Sequence, residues 1–382
     1  MDLELTEEQQ ELRDNFRAVL EEYCAPDAVR RVYEQGDDGS DLWKQTTELG
    51  WTALAVPESA GGLGYGFVEV GLLAEELGRA AAPAALLATT SQFTPAVVAA
   101  GDDALLARVA EGHVRGALAF AEQGSWDLDR IATRAERDGD GWKLSGTKGW
   151  VVAAAACDAV AVVAREGEGG ALGLFLVEDL ADRSDVTITP NVSIDVGMLS
   201  ADLVFDGASA RALLAPGDDV QAKLEEVRTW AAAAMALHTV GACRKLFEET
   251  LAYAKIRKQY DRVIGSFQAL KHRFADMYLS VERATALCYY AAVAVAEGDP
   301  VRTEAVHLAK SISGECQRLV VGDSLQLHGG LGYTWEQDLH FWLKRGKAGE
   351  LFCGSSTWHR AQVAASLGLL DAGATQTQGG RS

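Results

Sequence analysis

Leu12, Phe16, Val19 and Leu20 fall three and four residues apart in TEEQQELRDNFRAVLEEYC, which puts them on one face of a helix. Thr6 followed by Gln9 reads as a capping box that opens this helix. Two further helices are predicted in DLWKQTTELG, closing at Gly50, and in GFVEVGLLAEELGRA, where Val68, Leu72, Leu73 and Leu77 form the packed side. The loop between them, VPESAGGLGYG, is rich in glycine but has neither of the common phosphate-cradling spacings.

The period changes near residue 116. GALAFAE, ATRAERDGDGWKLSGTKGWVV, DAVAVVARE, ALGLFLVE, DVTITP and ADLVFDG are short runs punctuated by glycine and aspartate, as strands are. Asp138, Gly139, Asp140 and Gly141 supply a tight turn, and the whole segment suits a small, mostly antiparallel barrel or sandwich. Helical spacing returns after about residue 220. One nearly continuous run ends at KIRKQY, a second covers Phe267 to Glu297, a third Thr303 to about Leu327 and a fourth about Leu339 to Leu367. Their lengths suit a four-helix bundle. The chain is thus expected to be mostly α with a central β domain: N-terminal helices over 1–115, a middle β domain over 116–219, a helical bundle over 220–370 and a flexible tail over 371–382.

Composition narrows the function. Hydrophobic residues make up 48% of the 382, enough for a substantial core. The 35 Lys and Arg against 55 Asp and Glu give a net charge of −20, which argues against a nucleic-acid or anionic-membrane binder. The six cysteines show no zinc or C-x-x-C spacing and read as free thiols. No membrane-length apolar run or signal peptide is visible, so a cytoplasmic location is the expectation.

Four segments, LGWTALAVPESAGGLGYG, LSGTKGWV, YAKIRKQYDRVIGSFQALKHRFADM and QLHGGLGYTWEQDLHFWLKR, resemble the acyl-CoA dehydrogenase family, in order and over nearly the whole chain. The resemblance implies FAD, an acyl-CoA thioester substrate, an electron-transferring flavoprotein as acceptor, and α,β-dehydrogenation in which a carboxylate takes the α proton while the flavin takes the β hydride. It implies cofactor contacts at Arg257, with Tyr260 beside it, at Gln268, at Gln326, Gly329 and Gly330, and at Trp150. Arg257 suits a pyrophosphate because a guanidinium offers several fixed donors; its bland alternative is a surface ion pair, and that of Trp150 is a core aromatic. Ser125, retained with Glu122 and Gly124, is the substrate-side candidate. His328 is read as structural.

The departures from the family pattern are as informative. The family's commonest base is a glutamate before a glycine, and here Cys353 stands before Gly354. Its alternative location falls at Ala231. Glu350 and Cys353 remain as weak catalytic candidates, with Cys353 expected to be a buried, inert thiol. Ala121 and Val152 replace hydroxyl residues expected near the flavin ring, and Trp126 replaces an aspartate. Residues expected to serve a neighbour's cofactor are kept while those serving the chain's own ring are eroded. That asymmetry resembles the base-less subunit of heterotetrameric dehydrogenases acting on CoA esters of steroid side chains, with a homologous subunit as partner. A homomeric enzyme using Glu350 or Cys353, and a non-catalytic structural or regulatory partner, are the alternatives.

Overall fold

The computed structural model describes residues 5–369, so the expected tail over 371–382 lies outside the described residues. The expected architecture is present: N-terminal helices, a β barrel and a C-terminal helical bundle. Helix α1 (Glu7–Tyr23) opens with the capping box, Gln9 N donating to Thr6 Oγ1 at 3.2 Å and Thr6 N to Gln9 Oε1 at 3.1 Å. Helix α2 (Pro26–Gln35) follows, then α3 (Ser40–Glu48) and α4 (Phe67–Arg79). Next comes a continuous buried stretch, α5 (Ala85–Ala88), a π turn over Thr89–Phe93 and α6 (Thr94–Ala100), before α7 (Asp103–Ala110).

Seven strands make one sheet: β1 (Gly116–Ala119), β2 (Arg134–Asp138), β3 (Gly141–Val151), β4 (Ala159–Glu166), β5 (Leu172–Val177), β6 (Val186–Pro190) and β7 (Ala201–Leu214). The path β4-β2-β3-β7-β5 returns from β5 to β4 and closes a ring. Pairing is antiparallel except where β1 and β2 run parallel to β4. Leu144, Val160, Val162, Phe175, Leu203 and Phe205 fill its interior. The hairpin β2–β3 turns on Gly139, whose φ of +59° is a conformation glycine takes without strain.

Helix α8 (Val220–Ile256) leads into a two-stranded ribbon, β8 (Lys258–Gln259) with β9 (Arg262–Val263), and then α9 (Gln268–Ala296) and α10 (Arg302–His328). The fourth run expected as one helix is two, α11 (Leu339–Leu351) and α12 (Ser356–Ser366). The break has a local cause. Cys353 and Gly354 adopt φ of +59° and +91°, and the Ser355 side chain then caps α12 by accepting from Trp358 N at 3.2 Å.

The chain folds as two compact units. The first gathers residues up to Arg17, Gly71–Ala81 and the chain from Ala232 onward; the second holds Ala18–Val70 and Ala82–Ala231. Within the first unit the end of α4 crosses α8 at backbone contact. A Cβ on Gly78 would sit 1.9 Å from His238 O, and one on Gly241 1.9 Å from Glu75 O. Trp342 Nε1 donates to Arg79 O at 2.7 Å and Tyr289 Oη to Glu75 Oε2 at 2.6 Å, which fastens α4 into the bundle.

Candidate functional site

In the second unit, strand β3 and the loop after β1 are stitched together. Gly149 N donates to Ala121 O at 2.9 Å. Lys148 Nζ, wholly buried, donates to Phe120 O at 3.2 Å and to Glu122 Oε1 at 2.6 Å. The Glu122 carboxylate also accepts from Ala132 N at 2.8 Å and Thr133 N at 3.0 Å. Burial pushes the Glu122 carboxyl up, but the Lys148 charge and these donors outweigh it and hold it below the usual range. Burial pulls Lys148 down to about 8 against the attraction of Glu122, so the pair is ionised at neutral pH.

This frame carries the sequence candidates of the barrel. Ser125 donates through Oγ to Asp127 Oδ2 at 3.0 Å and closes a tight turn with Glu122, Glu122 N donating to Ser125 O and Ser125 N to Glu122 O. Trp126, where the family pattern has an aspartate, stacks on Phe120 with ring centroids 5.4 Å apart. Trp150 is 44% exposed, so it is not a core aromatic; its φ is +54° and its N–H donates to Asp202 Oδ1 at 2.9 Å. Ala121 and Val152 are buried and offer no side-chain donor.

The first unit carries the other candidates. Arg257 directly follows α8, is exposed, and has no ion-pair partner among the described residues. A guanidinium left to solvent in a chain so rich in carboxylates has its donors available for an anion. Tyr260, with φ +52°, stands 87% exposed on the ribbon. Gln268 is exposed at the start of α9, its Nε2 3.4 Å from His272 Nε2. Gln326, Gly329 and Gly330 are exposed at the end of α10; an added Cβ on either glycine meets nothing within 4 Å, so this backbone can be approached closely. His328 is buried beneath them, stacked on Tyr253 at 4.3 Å with Nδ1 donating to Ser324 O at 2.9 Å.

The two weak catalytic candidates sit at the end of α11. Glu350 is buried, and its carboxylate accepts from Lys347 Nζ at 2.8 Å and Ser356 Oγ at 2.9 Å. Burial pushes its pKa up, but Lys347 and Ser356 outweigh this and hold it below the carboxylate norm. A carboxylate held in this way is a weaker proton acceptor than a free one. The Cys353 thiol is buried and pushed up to about 12 by desolvation, with Lys310 opposing weakly. Ala231, the other location for a base, is fully buried and brings no carboxylate.

Sequence reasoning did not single out Lys148 or Lys310. Lys310 is wholly buried on α10, donating to Gly349 O and Phe352 O at 2.7 Å each, and caps the C-terminus of α11. The signal was its position among the inward residues Val306, Ala309, Ser313 and Cys316. Lys148 sits likewise on the inward face of β3 with Leu144 and Trp142.

Comparison with known proteins places the chain. Residues 6–117 match the acyl-CoA dehydrogenase N-terminal domain, 117–207 the middle domain and 224–368 the C-terminal domain. The chain belongs to the acyl-CoA dehydrogenase family. It is 30% identical to acyl-CoA dehydrogenase IpdE2 of Mycolicibacterium smegmatis over 344 residues, 89% of this chain and 93% of that one. It is 31% identical to IpdE2 of Mycobacterium tuberculosis over 343 residues, covering 89% and 91%. Among solved structures it resembles a chain of the Tcur3481–Tcur3483 steroid ACAD, 29% identical with TM-score 0.83 over 95% of this chain and 98% of that one. It also resembles a chain of the ChsE4–ChsE5 complex from Mycobacterium tuberculosis, 26% identical with TM-score 0.84 over 97% and 100%. The acyl-CoA dehydrogenase family is one of flavoenzymes, and FAD is the cofactor of this member. Arg257, exposed and without an ion pair among the described residues, and the open backbone at Gly329 and Gly330 have the chemistry that a phosphate-bearing group requires. No described helix is long and apolar enough to cross a membrane.

Proposed function

We propose that this chain is the subunit lacking the catalytic base in a heteromeric, FAD-dependent acyl-CoA dehydrogenase, working with a homologous subunit on CoA esters of steroid side chains. One observation carries the reading: the position of the family base holds Cys353, a buried thiol pushed up to about 12. Removing the α proton of a thioester needs an acceptor whose pKa suits the operating pH, placed at that carbon. Cys353 has the wrong pKa, Ala231 has no acidic group, and Glu350 is tied to Lys347 and Ser356.

The rest of the chain is built to hold. When bound, FAD supplies the two-electron acceptor for the β hydride. Arg257, with Tyr260 beside it and Gln268 nearby in sequence, offers charge and hydrogen bonds to the pyrophosphate. Gln326, Gly329 and Gly330 give the adenine end an open backbone. Trp150 stands exposed at the end of β3 for the ring, and Ser125 is the candidate for substrate contact. The partner contributes the base, and an electron-transferring flavoprotein removes the electrons. The steroid substrate is supported by the likeness to the Tcur3481–Tcur3483 steroid ACAD, and the mixed assembly by the likeness to a chain of a two-component complex.

The test is turnover of steroid side-chain acyl-CoA by the chain alone and by the chain purified with its encoded homologue. Activity is expected only in the pair. Rapid turnover by the chain alone overturns the reading.

A further inference from the structure

The break between α11 and α12 is held by an unusual pair of imidazoles. His359 on α12 is buried, and its Nε2 lies 2.8 Å from Cys353 O. Its Nδ1 lies 2.8 Å from Nδ1 of His307 on α10. His307 packs edge-on against Trp358 with ring centroids 5.7 Å apart. The turn presses close: a Cβ on Gly354 would come within 2.9 Å of His359 Nε2.

These contacts fix where the hydrogens are. A carbonyl oxygen only accepts, so His359 Nε2 carries a hydrogen. In a neutral imidazole its Nδ1 is then a bare acceptor. The contact between the two Nδ1 atoms needs one hydrogen, and only His307 Nδ1 can supply it. With both rings neutral, the pair adds no cation beside Lys310, whose ammonium meets the neighbouring carbonyl of Phe352 at 2.7 Å. The hydrogen bonds therefore run in one direction, from His307 to His359 to Cys353.

We propose that His307 and His359 form a directed imidazole relay that positions the Cys353–Gly354 turn, making them positioning residues for the segment that carries the family's base position. Two consecutive carbonyls, those of Phe352 and Cys353, are gripped by Lys310 from α10 and by His359 from α12. The grip keeps the Cys353 backbone at φ +59° and its thiol sealed from solvent. His307 acts one step further out by setting the tautomer of His359. The importance of this turn to the reaction rests on the reading that residue 353 occupies the base position, whereas the relay stands on the contacts alone.

Two experiments on the full chain test it. Nitrogen NMR of histidine-labelled protein is expected to show His359 protonated on Nε2, His307 protonated on Nδ1, and a coupling across the hydrogen bond between the two Nδ1 nuclei. An Nδ1-protonated neutral His359, or an imidazolium at either residue at neutral pH, overturns the relay. The second reads alkylation of Cys353 in the native chain, resolved from the other cysteines by peptide mass. His359→Leu is expected to speed it about tenfold, the worth of one buried hydrogen bond. His359→Gln, whose amide nitrogen reaches the place of Nε2, is expected to stay within about twofold of wild type. Equal rates in the wild type and both variants, or equal acceleration in both, overturn the positioning role. Neither readout needs turnover, so failure of the base-less reading and failure of the relay are told apart.

Discussion

Lys148 Nζ lies 2.6 Å from Glu122 Oε1, with the lysine side chain wholly buried and the carboxylate nearly so. This ion pair joins the loop that carries Ala121 and Ser125 to β3, the strand that carries Trp150. Removing one partner strands the other charge, so Lys148→Met is expected to cost ~3–5 kcal/mol. The double variant Lys148→Met/Glu122→Gln is expected to be less destabilised than Lys148→Met alone, because no charge is left stranded. Urea unfolding of the three proteins measures the difference.

The same pair gives a pH dependence. The folded-state pKa of Glu122 lies below its ordinary 4.5, because Lys148 and two backbone donors outweigh its burial. Its contribution to stability is therefore present above about pH 4.5 and is lost as pH falls through the folded value. Stability measured by denaturant titration from pH 6 downward is expected to fall more steeply for the wild type than for Lys148→Met/Glu122→Gln. Parallel curves would show that the pair does not titrate with folding.

Glu350 serves the joint between α11 and α12. Glu350→Gln keeps an acceptor for Ser356 but loses the charge facing Lys347, and is expected to cost ~1–2 kcal/mol in stability. Turnover of the assembled enzyme is expected to stay within about twofold of wild type, as it is for Cys353→Ala. A loss of a hundredfold or more, the scale of a missing general base, would return either residue to the catalytic role.

Among the described residues Arg257 has no carboxylate partner to lose. Arg257→Gln is therefore expected to leave unfolding unchanged within about 0.5 kcal/mol. FAD retained per assembled enzyme, read from flavin absorbance after gel filtration, is expected to fall by about tenfold in affinity, the worth of a charge-assisted hydrogen bond. A loss of stability with full flavin would make it a structural residue.

Periodicity made most of the architecture legible. The capping box at Thr6 and Gln9 formed as read, and the strand runs from Gly116 to Gly207 became the barrel, whose last strand continues to Leu214. Helix α2 was missed although Pro26 at its start and Gly36 at its end announce it. The stretch from Ala85 to Ala100 was missed for another reason: its residues are buried on nearly every side, so it has no amphipathic stripe to read. The expected single helix from Leu339 to Leu367 is broken because Cys353 adopts a positive φ, which a non-glycine residue seldom signals in sequence. At the site, residue types were legible and partnerships were not. The buried Lys148 joins Glu122 across 26 positions and Lys310 meets Phe352 across 42, separations that only the fold brings together.

The central claim is that this polypeptide completes an enzyme whose proton acceptor lies elsewhere. Native mass spectrometry of the chain co-expressed with its nearest encoded homologue tests it most directly. The account predicts a mixed assembly of both chains holding fewer FAD molecules than subunits. A homotetramer of this chain alone, with one FAD in every subunit, would contradict it.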